Sequence, residues 1–247
     1  MTVNIKWLGH ACVLLEYENK TILIDPWLDN PKFPGPEHKP TKVDVLLITH
    51  GHNDHFGNAV EFAKEVKPAM IPVMHEMSVY LAAKGVENAV GMNYGGIVDH
   101  EGIKIAMVPA MHSAGFNDNG EMVHMGSPGG YIIAFPDGNI VYHSGDTMAF
   151  SDMSVLADLY SPTIGLLSIG GHYTMGPKQA AYAAKLMNLK EIIPIHYGTF
   201  VPPLNGTPEK LVQHLNGTGI AVHALKPGES HEFSAMDEHE QYQSFYT

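Results

Sequence analysis

The chain has 247 residues, of which 45% are hydrophobic, so it can bury a sizeable core, and we expect one domain spanning residues 1–247. Its 14 basic and 26 acidic residues give a formal net charge of −12, and no lysine cluster is of the kind that tracks a phosphate backbone. Nucleic acid is therefore not expected as a partner. A small-molecule substrate is expected instead, and the sequence leaves open whether the chain forms a homo-oligomer.

The N-terminal segment, residues 1–26, alternates in the manner of β-strands. It has neither a basic start followed by an apolar signal core nor a span long enough to cross a bilayer, so we expect a cytoplasmic protein without a membrane partner. The only cysteine is Cys12, in an apolar neighbourhood that favours a core position. An intrachain disulfide and a cysteine metal cage are excluded, and any metal must be held by carboxylates and the 16 histidines.

Short apolar runs bounded by turn residues predict strands along the whole chain. In order, these runs are residues 12–17, 21–26, 43–50, 69–74, 103–112, 130–135, 139–146, 164–169, 191–198 and 220–225. The "FPDGN" turn predicts that residues 131–143 form an antiparallel hairpin. Residues 25–40 and 113–130 are predicted to be surface loops, and residues 234–247 a loosely ordered tail.

Helical patterns lie between some of these strands, at residues 58–66, 75–85, 176–188 and 207–217. Pro177 falls near the first turn of the third helix, and Thr207 and Pro208 are typical of an N-cap and a first helical position. The mixture of hairpins and strand–helix units has no repeat period. It favours two sheets covered by helices.

Four potential metal ligands lie within six residues, in the string "THGHNDHFGN" at residues 49–58. On an extended turn, residues two apart project the same way, so His50 and His52 are expected to bind one ion. Asp54 and His55 follow across the turn, where they can face a second ion about 3.5–4 Å away, the usual separation in two-metal hydrolytic sites. A solvated polar turn would not require three imidazoles, so the cluster indicates a metal site.

Further ligands must come from other strand ends, and His112, Asp146 and His196 each follow an apolar run. Taken singly, each has an ordinary explanation. A histidine after a strand is usually a surface or hydrogen-bonded residue, and Asp146 in "SGDT" is typical of a turn.

The string at residues 49–58 resembles the HxHxDH signature of the metallo-β-lactamase superfamily, and His112, Asp146 and His196 occur in the order of that family's remaining ligand motifs. The resemblance extends over nearly the whole chain. It implies an α/β (α+β) protein with the four-layer αβ/βα sandwich of the metallo-hydrolase fold and with the metals at one edge. It also implies a first ion on His50, His52 and His112, a second on Asp54, His55 and His196, and Asp146 between them.

The sequence segments around the expected ligands indicate which branch of the superfamily this chain resembles most. "WLGHACVLLE", "SIGGHYTMGP" and "PIHYGTF" are most similar to the metal-dependent hydrolase branch near the L-ascorbate-6-phosphate lactonases. Di-iron oxygen-reducing members carry a carboxylate where this chain has His52, and the commonest secreted β-lactamases carry a cysteine where it has Asp146. Members that process transfer RNA are expected to have a basic extension, which this acidic chain lacks.

We therefore expect a hydrolase in which a hydroxide bridged between two divalent ions cleaves an ester, lactone or phosphoester bond of a small molecule. Zinc suits this ligand set, and manganese and iron also accept it. Asp54 is expected to orient the hydroxide or accept its proton. Asp25 is expected either to orient a ligand histidine or to serve as a plain helix or turn cap. His172 is the candidate proton donor for the leaving group, with His10 and His143 as alternatives.

Two other functions stay open from the sequence. One is a phosphodiesterase that acts on nucleotides or phospholipid head groups. The other is a non-catalytic metal-binding scaffold, which the loss of a ligand would have favoured. The substrate is expected to be set by the loops at residues 113–130 and 197–207.

Overall fold

The computed structural model describes residues 2–235, which form strands and helices in alternation. The strands are β1 (Thr2–Trp7), β2 (Val13–Tyr17), β3 (Lys20–Ile24), β4 (Val45–Leu47), β5 (Ile71–Met74), β6 (Ala89–Met92), β7 (Ile97–His100), β8 (Ile103–Pro109), β9 (Phe116–Asp118), β10 (Glu121–Val123), β11 (Gly129–Ala134), β12 (Ile140–His143), β13 (Ile164–Ser168), β14 (Glu191–Ile195), β15 (Ala221–Val222) and β16 (Ser230–Ser234). The helices are α1 (Asn53–Phe56), α2 (Ala59–Val66), α3 (His75–Ala83), α4 (Met153–Tyr160), α5 (Pro177–Leu186) and α6 (Pro208–Leu215).

Two large sheets form the centre of the fold. The first has five strands in the order β16-β1-β2-β3-β4, and the second has seven in the order β15-β14-β13-β12-β11-β8-β7. Two smaller sheets pair β5 with β6 and β9 with β10. The mixed α/β architecture with two main sheets is the one expected from the sequence.

The central strands of the seven-stranded sheet, such as β8, β11, β12 and β13, are buried on both faces, which explains why they are continuous apolar runs rather than alternating ones. On β11, Tyr131 and Ile133 point into the core between the sheets, while Ile132 and Ala134 point to the opposite face. That opposite face is covered by α4, α5 and α6, through side chains that include Met153, Ala180 and Leu211. Because side chains alternate along a strand, successive apolar residues of one strand pack alternately into the core between the sheets and against the helices.

Most predicted elements are present, with shorter bounds in places. The hairpin β11–β12 pairs Tyr131 with His143, and α6 begins after Thr207, whose side chain accepts a hydrogen bond from the Lys210 N–H. Cys12 is buried in the core. The run at residues 220–225 yields only the two-residue strand β15. Residues 236–247, which include most of the predicted loose tail, lie outside the described residues.

The prediction of a plain loop at residues 113–130 is wrong, because the segment contains the hairpin β9–β10. Asn119 and Gly120 form its turn with φ of 55° and 95°, the left-handed conformation that an Asn–Gly turn adopts. The hairpin is anchored by Phe116, whose ring lies 4.7 Å from that of Phe56 between centroids. The three-residue strands were hidden by the turn-forming composition of the segment.

Helix α4 was also missed from the sequence, although its buried residues follow the helical spacing: Met153, Leu156, Ala157 and Tyr160. None of the helices in residues 2–235 is long and apolar enough to cross a membrane.

The topology brings several strand ends to one edge of the two sheets. Strands β12, β13 and β14 are parallel, so they end at the same edge. His196 follows β14 there, and Asp146 follows β12 by three residues. The loop after β4 brings His50 to the same place from the other sheet. The edge between the sheets therefore collects polar residues that are far apart in the sequence.

Candidate metal centre

Three imidazole rings converge at the start of the turn after β4. His52 Nδ1 lies 3.0 Å from His50 Nε2 and 3.3 Å from His112 Nε2. Three nitrogens on one tetrahedral zinc ion, each about 2.0–2.1 Å from the metal, would be roughly 3.3 Å apart. The three ring nitrogens therefore have the spacing that a shared cation requires.

A second group lies beside the first and is formed by His10, Asp54, His55 and His196, which each offer one donor atom within 4.8 Å of the others. Asp54 Oδ2 is 3.6 Å from His196 Nε2 and 3.9 Å from His55 Nε2. This group contains three of the residues that the sequence assigned to a second ion, and adds His10.

Asp146 lies between the two groups. Its Oδ1 is 3.3 Å from His55 Nε2, and its Oδ2 is 3.1 Å from His196 Nε2 and 3.6 Å from His112 Nε2. One carboxylate thus faces histidines of both groups, as a residue that joins two cations would. All seven ligands expected from the sequence are brought together at one edge of the fold.

Buried ring nitrogens without hydrogen-bond partners indicate whether these residues suit a cation. The Nε2 atoms of His55 and His196 are buried without a hydrogen-bond partner in the part of the chain that the structure describes. They lie 3.3 and 3.1 Å from the carboxylate oxygens of Asp146. Buried polar atoms without partners are costly. A cation held by the two Nε2 atoms and the carboxylate would satisfy both of these atoms, although it would not supply a partner for His196 Nδ1, which is also without one among the described residues.

Asp25 holds two of the histidines through one hydrogen-bonded network. His55 Nδ1 donates to Asp25 Oδ2 over 2.8 Å, and the Thr49 hydroxyl donates to the same oxygen over 2.8 Å. The Thr49 hydroxyl oxygen accepts in turn from His50 Nδ1 over 3.0 Å. Because both Nδ1 atoms donate to these oxygens, Nε2 is the atom of each ring that would bind a cation at the centre. Asp25 therefore fixes the ring of His55, which is the orienting contact, rather than a helix or turn cap, among the two roles that the sequence left open.

His10 has a larger part in the site than the sequence indicated. It is fully buried, and its Nε2 donates to Asp54 Oδ2 over 3.0 Å, while its Nδ1 accepts from the Thr199 hydroxyl over 2.9 Å. Burial first, and then neighbouring His196, lower the pKa of His10 to about 4. A neutral ring with its proton on Nε2 is consistent with these contacts. The position of His10 just after β1 carried no signal that would have linked it to Asp54.

Backbone strain marks the same region. His10, Asp25 and His196 have φ of 51°, 51° and 54°, in the left-handed region that residues other than glycine rarely adopt. Such conformations cost of order 1–3 kcal/mol each and persist where the surrounding structure enforces them. Three of them around one cluster indicate that its side-chain positions are selected at the expense of stability.

An open cavity of about 690 Å³ lies against the exposed side of the cluster. Its lining residues are Trp27, His52, Asn53, Asp54, Ser113, Gly115, Asn117, Met122 and Phe200. The aromatic and methionine side chains form an apolar wall, and Asp54 and His52 connect it to the two ligand groups. The loops at residues 113–130 and 197–207 both contribute to it, which is the contribution expected of them.

Comparison with known proteins gives a consistent result. A family model described as the beta-lactamase superfamily domain matches residues 20–197. A UPF0173 metal-dependent hydrolase of Koribacter versatilis is 47% identical over 230 residues, which cover 92% of this chain and 97% of that relative. A UPF0173 metal-dependent hydrolase of Methanopyrus kandleri is 43% identical over 235 residues, 93% and 100% of the two chains.

This chain belongs to the metallo-β-lactamase superfamily. Among solved structures, Igni18, a metallo hydrolase from the archaeon Ignicoccus hospitalis, superposes with a TM-score of 0.85 and 37% identity over 95% of this chain and 99% of that one. The family resemblance predicted from the residues 49–58 is confirmed, and so is the fold class.

The electrostatics of this superfamily member are dominated by carboxylates among buried histidines. Burial lowers the pKa of His196, but Asp146 and then Asp54 outweigh it and raise that pKa to about 9. For His55, the carboxylates of Asp146 and Asp25 likewise overcome burial and raise the pKa well above its usual range. Burial opposes the charge of Asp54, but His55 and His10 hold the pKa of that carboxyl well below its usual range.

The candidate proton donors other than His10 lie outside these groups. His143 is fully buried, its Nδ1 accepts from the Gly145 N–H over 3.1 Å, and its Nε2 donates to the Ala11 carbonyl over 3.3 Å. Both ring nitrogens are therefore used by the backbone, which favours a structural role. His172 is exposed, and its ring contacts Tyr173 at a centroid distance of 4.4 Å. It does not line the cavity described above, and its role as a donor stays a prediction.

Proposed function

We propose that this chain is a hydrolase that uses two divalent metal ions, zinc by the chemistry of its ligands, to cleave an uncharged carboxylic ester or lactone. The observation that carries the proposal is the convergence of seven ligand side chains beside a cavity with an apolar wall. A structure with lost ligands would have favoured a scaffold. The presence of all seven expected ligand residues in the groups that could hold an ion supports an enzyme instead.

The proposed division of the ligands follows the two groups. His50, His52 and His112 would hold the first ion, Asp54, His55 and His196 the second, and Asp146 would lie between both. When bound, two divalent ions lower the pKa of a water shared between them toward neutrality and polarise the oxygen of the scissile bond. Manganese or iron would support the same chemistry, because both accept imidazole and carboxylate ligands.

Asp54 is the residue proposed to orient the attacking water and its proton. Its side chain is 30% exposed, and it lines the cavity while its Oδ2 accepts the hydrogen bond from His10. That hydrogen bond holds the carboxylate in one orientation toward the cavity, and Thr199 fixes the ring that donates it. A carboxylate positioned in this way can orient the attacking water through its free oxygen, and it keeps its negative charge because its pKa is held well below its usual range.

The substrate class is inferred from the charges of the side chains that line the cavity. None of the lining residues is a lysine, and the sequence contains no arginine among its 14 basic residues. Bidentate recognition of phosphate or carboxylate groups therefore has no donor in the chain. Trp27, Met122 and Phe200 provide apolar surface, and Ser113, Asn53 and Asn117 provide uncharged hydrogen-bonding groups. These features favour a neutral ester or lactone with an apolar substituent over a phosphodiester.

The test compares three substrate classes with protein reconstituted with zinc, and then with manganese. Aryl esters and simple lactones are expected to be hydrolysed with kcat/KM about 100-fold or more above that for bis(4-nitrophenyl) phosphate, a difference of about 2.7 kcal/mol. The variant Asp146→Ala should lose this activity and bound metal, while Asp158→Ala, which removes an exposed carboxylate on α4, should retain both. Preference for the phosphodiester would replace the ester assignment by the phosphodiesterase alternative. Full activity of Asp146→Ala would overturn the two-ion proposal.

A further inference from the structure

A second group of potential metal ligands lies away from the candidate metal centre. It consists of Glu191, His223 and His231, which each offer one donor atom within 4.8 Å of the others. Glu191 begins β14, whereas His196 follows the opposite end of the same strand. Five residues of strand separate them by about 16 Å, so the two centres cannot share an ion.

The three side chains come from different parts of the two large sheets. Glu191 belongs to the seven-stranded sheet, and His223 follows β15, its backbone N–H donating to the Ile192 carbonyl over 2.8 Å. His231 lies on β16 of the five-stranded sheet, where it pairs with Ile5 of β1. The group therefore bridges the sheets near the short edge strands β15 and β16.

The contacts within the group hold the three side chains close together. His223 Nε2 lies 2.6 Å from Glu191 Oε2, and the rings of His223 and His231 stack with centroids 3.8 Å apart at 28°. Phe233 packs against both rings, at centroid distances of 5.6 and 4.8 Å. A single hydrogen bond explains the first pair of residues. It does not explain why a second imidazole is stacked at the same point.

Two imidazoles and one carboxylate are a ligand set that zinc and similar borderline cations accept, with a fourth position open to water. The side chains of His223 and Glu191 are 21% and 38% exposed, so an ion can enter from solvent without opening the fold. The aromatic ring of Phe233 supplies the apolar side that limits how the imidazoles turn. An ion at this point would tie β16 to the end of β14 that lies opposite the catalytic edge.

We propose that Glu191, His223 and His231 form a structural site for one zinc ion, which links the two sheets and is separate from the candidate metal centre. This proposal does not rest on the proposed function, because none of its residues lies in the ligand cluster or the cavity. It predicts that the chain binds one ion more than its catalytic residues account for. It also predicts that this ion stabilises the fold without affecting turnover.

The experiment uses the full chain, stripped with a chelator, loaded with Zn²⁺ and passed through a desalting column before elemental analysis. Wild type is expected to hold about three ions per chain, and His231→Gln and His223→Gln about two. His214→Gln, which removes an exposed histidine on α6, should match the wild type. Asp146→Ala should lose catalytic-site metal but keep the ion on this site, which separates failure of this proposal from failure of the proposed function.

Thermal unfolding with and without Zn²⁺ supplies a second readout in the Asp146→Ala background. Zinc should raise the Tm of this variant and of the same variant with His214→Gln, and the shift should be smaller when His231→Gln or Glu191→Gln is added, because only the ligands of the first ion then remain. A smaller shift in both distinguishes a metal site from a fold weakened at one position. Equal zinc content in wild type and His231→Gln, or an equal Tm shift with and without Glu191, would overturn the site and leave only a hydrogen-bonded pair.

Discussion

Replacement of Asp25 by asparagine should weaken metal binding although Asp25 lies behind the ligands rather than among them. The carboxylate accepts three hydrogen bonds, from the Thr49 N–H, the Thr49 hydroxyl and His55 Nδ1, each over 2.8 Å. An asparagine keeps the size of the side chain but replaces one oxygen with an N–H₂ group. If that group faces His55, the ring must accept at Nδ1 and carry its proton on Nε2, where it can no longer bind a cation.

The magnitude follows from the kind of bond that is lost. Removing a partner that orients a ligand histidine typically costs 10–100-fold in metal affinity, about 1.4–2.7 kcal/mol. A hydrogen bond to a charged group is worth about 1.5–3 kcal/mol, so the metal-free fold should also be destabilised. Asp29→Asn is a matched control, because Asp29 is exposed and bonds only to the Asn58 side chain among the contacts described for it.

Competition with a chromophoric chelator measures the affinity, and urea unfolding of the metal-free protein measures the stability. We expect Asp25→Asn to release zinc at chelator concentrations about 10–100-fold lower than wild type, and Asp29→Asn to behave as wild type. An affinity within about twofold of wild type, in a folded Asp25→Asn protein, would refute the view that Asp25 sets the ring proton of His55.

Three further predictions concern the cavity, a buried histidine and pH. Phe200→Ala should raise KM for apolar esters several-fold with a smaller change in kcat, because the apolar wall contacts the substituent rather than the reacting bond. His143→Ala should lower the free energy of unfolding by about 2–4 kcal/mol, because it opens a buried cavity and leaves the Gly145 N–H without its acceptor, yet the folded variant should keep its metal. Zinc affinity should fall as pH decreases below 9, by about tenfold per pH unit for the proton that leaves His196, whose pKa is about 9 without metal.

Each of these has a result that would contradict it. An effect of Phe200→Ala on kcat alone would mean that the ring acts on the reacting bond. Val212→Ala, which shortens an exposed side chain on α6, is the control and should leave both kcat and KM unchanged. Loss of zinc by folded His143→Ala, measured by elemental analysis, would give His143 a direct part in the centre. Zinc affinity independent of pH between 6.5 and 9, measured by chelator competition, would mean that no proton leaves His196.

The same pKa sets the sign of a stability change in the metal-free protein. The pKa of His196 is raised from 6.5 to about 9 by folding, so the charged ring stabilises the fold fully below pH 6.5. That contribution is lost as pH rises through 9. Its loss in this window should be seen as a lower urea midpoint for wild type, and should be smaller for His196→Gln.

Short-range pattern was sufficient for much of the fold. The continuous apolar runs of β8, β11 and β13 predicted strands because both faces of their sheet are buried. Elements whose signal in the sequence is weak were missed. The three-residue strands β9 and β10 lie within turn-forming residues, and the short helix α4 follows the loop that contains Asp146.

The candidate ligands could also be predicted from short-range pattern. The HxHxDH string places four donors within six residues, and the remaining donors follow apolar runs. His10 illustrates the limit. Its contact with Asp54 joins residues 44 positions apart, and its hydrogen bond to Thr199 spans 189 positions. Local pattern does not encode such distances.

The sequence alone therefore predicted seven candidate metal ligands and most of the strands that precede them, because the HxHxDH string and the apolar runs are short, local patterns. The tertiary structure decided which donors face the same point, which histidines are used by the backbone, as His143 is, and which loops close the cavity. Those outcomes depend on the packing of two sheets across their shared core. The order of strands in each sheet brings Glu191, His223 and His231 to one place, and the length of β14 puts His196 at the opposite edge.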